Sequence, residues 1–125
     1  VFMNDKIGEI IREIRNQKGI SLRKLAEIVG VSNVNILYIE KGKINTSMTV
    51  LKGIANALNY NIDKLLSLAN MIDDDIKAII NKRPIQITKF LRAAKNFTND
   101  DWKILTERTL NNDLELKAFG KSKNA

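Results

Sequence analysis

The chain has 125 residues, 44% of them apolar, and a formal net charge of +7. That length suits one domain, or a small domain with an appendage, and the apolar content is sufficient for a core. The absence of cysteine and histidine excludes disulfides, thiolate nucleophiles, imidazole bases and nearly all transition-metal sites.

The basic balance suits a polyanionic partner, because bound Lys and Arg release counterions from phosphates. No apolar run approaches the roughly 20 residues needed to span a bilayer, so the expected setting is the cytoplasm, with no membrane partner.

The pattern is helical throughout, and no segment alternates at period two. Ile7, Ile10, Ile11 and Ile14 fall on one face of a first helix spanning 4–18, and Gly19 stops it. Ser21 caps a second helix with the stripe Leu22, Leu25, Ala26 and Val29, ended by Gly30. Ser32 caps a third, with Ile36 and Ile39 inward and Gly42 closing it. Thr46 or Ser47 caps a fourth, with Val50, Leu51, Ile54, Ala55 and Leu58 buried, and Asn59 takes the left-handed conformation that stops it. Asn61 caps a fifth, with Ile62, Leu65 and Leu66 inward.

A polar stretch from Asn70 to Asp75 marks a boundary, giving domains at 1–70 and 71–125. Beyond it, Ile76, Ile79 and Ile80 suggest a sixth helix, and Pro84 fits the first turn of a seventh with Ile87, Phe90, Leu91 and Ala94 as its stripe. Thr98 and Asp101 form a capping box for an eighth, with Phe97 and Trp102 in the staple positions and Ile104, Leu105 and Leu110 on the buried face. Residues 120–125 read as a disordered basic tail. The fold class is therefore all-α, with five short helices followed by a short helical C-terminal region.

Residues 22–41, LRKLAEIVGVSNVNILYIEK, meet the demands of a helix-turn-helix. Two short helices packed steeply through a tight turn need a small side chain where they touch, which Ala26 supplies. The turn needs a residue tolerant of positive φ, which Gly30 supplies. The second helix must anchor by its inner face, through Ile36 and Ile39, and leave Asn33, Val34, Asn35 and Tyr38 outside.

Four segments, IGEIIREIRNQKGIS (7–21), LAEIVGVS (25–32), IEKGK (39–43) and LKGIANALNYNIDKLL (51–66), resemble in order and spacing the lambda-repressor-like, or XRE (Cro/cI-type), helix-turn-helix regulators. The resemblance implies that the third helix enters the major groove of double-stranded DNA. It places Asn33, Val34, Asn35 and Tyr38 as base-contacting residues and Ser21, Arg23, Ser32, Lys41 and Lys43 as phosphate contacts. Arg15 and Glu40 match positions that form a structural ion pair.

Asn pairs bidentately with adenine and Val packs on a thymine methyl. The sequence departs from the family at Leu22, where Gln is common. It also lacks Arg and Lys between Ser32 and Glu40, so A/T-containing sites and some shape readout are expected.

No convergent catalytic set, phosphate loop or metal cluster accompanies these features, so neither an enzyme nor a cofactor is expected. Asp73–Asp75 fits a helix start better than a metal site. Ile80, Phe90, Leu91, Trp102 and Leu105 are too many apolar side chains for short helices to bury among themselves, which points to oligomerisation. The expected function is a repressor bound to a palindrome as a homodimer. The alternative is an interaction module, such as a DNA-binding antitoxin or partner-sequestering regulator, acting on a protein partner through residues 71–125.

Overall fold

The computed structural model describes residues 6–120. Of the tail expected over 120–125, all but Gly120 lies outside the described residues, as do the first two residues of the helix expected from residue 4. The described residues form α-helices and one 3-10 turn, with no strand. In chain order they are α1 (Lys6–Gln17), α2 (Leu22–Val29), α3 (Asn33–Glu40), α4 (Met48–Ala57), α5 (Ile62–Leu68), α6 (Asp74–Lys82), α7 (Pro84–Ala93) and α8 (Asn99–Leu110), then a 3-10 helix at Lys117–Phe119.

Local chemistry sets most of these boundaries. Ser21, Ser32, Ser47 and Asn61 each accept a hydrogen bond from the backbone N–H three residues on, satisfying a donor that the first turn leaves free. Asn59 adopts φ 52° after α4. At the end of α2, Gly30 adopts φ 83° and donates to Ala26 O at 2.8 Å, a backbone conformation that a Cβ would strain.

The chain divides into two compact units, Val1–Ile79 and Ile80–Ala125. The division falls nine residues later than the sequence pattern places it, inside α6. Two contacts tie the intervening segment to the first unit. Met71 packs against the core, and Lys52 on α4 donates to Asp73 Oδ1 at 3.1 Å. That ammonium, together with the Asp74 N–H, holds the Asp73 carboxyl below the usual aspartate range.

The core of the first unit is built from aliphatic residues of α1 to α5: Ile7 and Ile11, Leu25 and Ala26, Ile36 and Ile39, Leu51, Ile54 and Ala55, Leu65 and Leu66, all essentially inaccessible. Burying each large aliphatic side chain contributes about 1.5–3 kcal/mol, more than a typical cap at about 1 kcal/mol. The caps set the lengths of the helices, and the core determines how they pack.

The second unit holds α7 and α8. Thr98 and Asp101 form a reciprocal capping box, and Trp102 packs on Phe97 (ring centroids 5.3 Å apart) and edge-on to Phe90 (6.4 Å). The sequence pattern places Ile104 and Leu110 on a buried face, yet both are exposed. The helical period identifies an apolar side of α8, but this small unit has too little mass to cover it.

Gly8 marks a close approach between two helices. A Cβ there would fall 2.5 Å from Ile39 O and as close to Glu40 O, so α1 rests backbone-to-backbone on the end of α3. Ala is favoured over Gly in a helix by about 1 kcal/mol, but these neighbours are carbonyls that cannot rotate aside. Gly8→Ala is expected to destabilise the fold by about 1–3 kcal/mol, as overpacking does, measurable as a lower midpoint in urea unfolding.

Candidate nucleic-acid interface

The interface is built on α2 and α3 and the loop that follows. Leu25 and Ala26 meet the inner face of α3, where Ile36 and Ile39 are fully buried. Leu22, at the position where the family favours Gln, is packed against the same core. The two helices are joined by only three residues between Val29 and Asn33. After Gly30, Val31 N–H also bonds Ala26 O at 3.0 Å, which closes the turn.

The outer face of α3 is left free. Asn33 is exposed, Val34 is 54% exposed and Tyr38 40% exposed. Asn35 is half-buried, and its Oδ1 is shielded without a protein donor. A buried acceptor in that state costs free energy until a donor reaches it, so its amide is the least settled group on this face. Asn33, Val34 and Tyr38 thus share a surface, and Asn35 lies at its inner edge.

The end of α3 is fixed on two sides. Beyond Glu40, Lys41 N–H bonds Leu37 O at 3.0 Å, Gly42 N–H bonds Ile39 O at 3.1 Å and Lys43 N–H bonds Tyr38 O at 2.9 Å, so the loop carrying Lys41 and Lys43 folds back onto the helix. Both lysines are exposed, as are Ser21, Arg23 and Ser32 at the starts of α2 and α3. The Ser21 and Ser32 hydroxyls are engaged as N-caps. The Lys43 ammonium lies 5.7 Å from the Tyr38 ring centroid, within cation–π range.

On the inner side, Arg15 of α1 grips Glu40 with two bonds, Nε to Oε2 at 2.7 Å and Nη2 to Oε1 at 3.0 Å. A third, from Nη1, reaches Ile20 O at 3.0 Å. The Glu40 side chain is only 2% exposed. The hydrogen bonds to Glu40 raise the Arg15 pKa above its ordinary value against the opposing effect of burial, and the carboxylate charge adds to the rise.

Two features escape the sequence pattern. One is Gly8, whose signal is a glycine between Ile7 and Ile11 within an apolar helical stripe, a mark of close backbone approach. The other is the pairing of Lys43 with Tyr38, residues expected to touch different parts of a ligand. The residues expected to oligomerise lie in the second unit and at its border. Phe90 and Trp102 spend part of their surface on each other, while Leu91 remains exposed and Ile80 and Leu105 are half-covered.

A helix-turn-helix family model matches residues 11–65. The chain is 40% identical over 55 residues to an uncharacterised HTH-type transcriptional regulator of Archaeoglobus fulgidus, covering 44% of this chain and 79% of that protein. It is 31% identical over 93 residues to a putative HTH-type transcriptional regulatory protein of Methanocaldococcus jannaschii, covering 74% of this chain but 28% of that protein. The chain thus spans little more than a quarter of the length of the Methanocaldococcus jannaschii protein. Its fold is similar to that of the clp gene regulator ClgR of Corynebacterium glutamicum, with a TM-score of 0.50 and 22% identity over 75% of this chain and 95% of the other.

Arg15→Ala would leave a buried Glu40 carboxylate unpaired. The expected loss is about 3–5 kcal/mol of stability, measured by chemical denaturation. Arg15→Lys is expected to recover only part of it, because a point charge cannot reproduce the two-pronged geometry.

Proposed function

Because the chain belongs to the lambda-repressor-like, or XRE, helix-turn-helix family of transcriptional regulators, we propose that it is a sequence-specific repressor that inserts α3 into the DNA major groove. The observation that carries this reading is the division of α3 into two faces. Ile36, Ile39 and Glu40 are buried and tied to α1 and α2, while Asn33, Val34 and Tyr38 remain exposed beside Lys41 and Lys43.

Asn33 reads adenine, Val34 packs on a thymine methyl, and Tyr38 extends the contact one turn further. Asn35 joins them when its amide turns outward. Arg23, Lys41 and Lys43 grip phosphates, and Ser21 and Ser32 contribute contacts at the two helix starts. With no cation on the reading face, specificity favours sites containing A/T pairs.

An eight-residue helix spans only a few base pairs. A twofold pair of subunits reading a palindrome, with half-sites about one helical turn apart, supplies the remaining specificity. The partners are thus double-stranded DNA and a second copy of the chain, and repression follows from occupying a site that polymerase needs.

DNA selected from a random pool by the purified protein gives the operator for titration. Asn33→Ala and Tyr38→Ala are each expected to cost about 1–3 kcal/mol of binding to that site, roughly 5- to 150-fold, with little change on unrelated DNA. Lys41→Gln is expected to weaken both alike and to reduce the slope of log affinity against log salt by about one. Failure to enrich any sequence at moderate salt overturns the proposal.

A further inference from the structure

The positive charge of the chain is unevenly placed. Residues 1–79 contain eleven Lys and Arg against nine Asp and Glu, whereas residues 80–125 contain ten against five. The unit that bears α3 is thus close to balanced at +2, and the second unit carries +5. Within the second unit α8 mixes both signs, with Asp100, Asp101 and Glu107 near Lys103 and Arg108. The excess lies in and around α7. Lys82, Arg83, Lys89, Arg92 and Lys95 fall in a run from 76 to 99 that contains no Asp or Glu.

All five side chains are exposed, and none is in an ion pair among the described residues. The face of α7 that bears Phe90 turns towards Trp102 of α8, and Ala94 below it is buried. Lys89 and Arg92, three residues apart, share the opposite side of the helix.

Cations in a last helical turn complement the helix dipole, which accounts for Lys82 at the end of α6 and Arg92 at the end of α7. The dipole does not account for Arg83 or Lys89. Arg83 stands at the N-cap of α7, where no side chain caps the helix and the first turn has no acid. A cation is thereby placed at the positive end of the dipole, with its Nη1 donating to Lys82 O at 3.1 Å. Lys89 lies one turn from Arg92, where like charges repel. The free chain bears these costs, and an anionic ligand would remove them.

We infer that α7 and its flanks form a second DNA contact, in which these five side chains neutralise backbone phosphates of the duplex irrespective of base sequence. Charge complementarity selects the ligand. The ten residues of α7 span about 15 Å, and each DNA strand presents a phosphate about every 3.4 Å of helix axis. Cations spread before, along and after α7 suit such a row of charges and not one compact anion. This inference deepens the proposed function and rests on its DNA-binding reading: α3 discriminates between sequences, and α7 adds affinity for any of them.

The test uses the full chain and a duplex of unrelated sequence. Lys89→Gln/Arg92→Gln is expected to weaken binding roughly tenfold and to lower the slope of log affinity against log salt by about two. Lys103→Gln/Lys117→Gln removes the same charge outside the run and is expected to leave the slope near its wild-type value. Acetylation of the wild type with that duplex present, read by mass spectrometry, is expected to spare Lys82, Lys89 and Lys95 several-fold relative to Lys103. Circular dichroism checks helicity, and Lys82→Gln/Lys95→Gln at the flanks of α7 is expected to repeat the result of the first pair. An unchanged slope in a folded variant, an equal loss in the Lys103/Lys117 pair, or uniform acetylation overturns the inference. Loss of this contact leaves the effects of Asn33→Ala and Tyr38→Ala on the selected site in place, whereas failure to select a site leaves binding to unrelated duplex measurable.

Discussion

The geometry of α3 depends on its contact with α1. An eight-residue helix is far too short to persist by its own hydrogen bonds, and its outer face is bare. Its orientation is therefore imposed from behind. Gly8 lets the α1 backbone settle against the carbonyls of Ile39 and Glu40, and Arg15 closes over the same turn with two bonds to the Glu40 carboxylate. A buried ion pair of this kind returns little net stability after desolvation. Its geometry is demanding, however, so it penalises any rotation of α3 that would break one bond of the fork. Ile36 and Ile39 set the depth of the helix, and the Arg15–Glu40 pair sets its rotation.

That arrangement separates two electrostatic tasks. The exposed face of α3 has no full charge between Ser32 and Glu40, and Glu40 is neutralised by Arg15. The free cations flank it, at Arg23 before the turn and at Lys41 and Lys43 after the helix. Positive charge is thereby placed on loops and helix ends, and uncharged groups on the outer face of the helix. Lys43 connects the two tasks, since its ammonium sits near the Tyr38 ring. A cation held there is less free to wander than one on an unsupported loop.

What could be read from the sequence was mainly local. Caps at Ser21, Ser32, Asn61 and Thr98, the proline that opens α7 and the left-handed Asn59 each depend on a few adjacent residues. Most inward-facing residues of α1 to α5 followed from period, although Ile10, expected on the same face as Ile7 and Ile11, is only half-buried. Period does not say what covers an apolar stripe, which is why Ile104 and Leu110 looked buried and are exposed. It also says nothing of contacts between residues distant in the chain. A glycine in the apolar stripe of α1 could mark a close approach but not name Ile39 and Glu40 as what it meets, and the Lys52–Asp73 contact that ties the segment after α5 to the first unit was equally invisible in one dimension. At the candidate site the exposure of Asn33, Val34 and Tyr38 was legible from period, whereas the shielding of the Asn35 Oδ1 was not.

The second unit poses the opposite problem to α3. There, the exposed outer face belongs to a helix whose inner face is held by a layered core. Here, Ile85, Leu91, Ile104 and Leu110 are exposed on helices that lack a second layer, and the aromatic cluster of Phe90, Phe97 and Trp102 is too small to gather them. Short helices bury an apolar stripe only against another layer. In this unit the described residues that hold α7 and α8 together are the ring contacts of Phe90, Phe97 and Trp102, with the Thr98–Asp101 capping box fixing where α8 begins. The order of this unit therefore rests on three aromatic side chains and one cap, where the first unit has five helices closing over a shared aliphatic core.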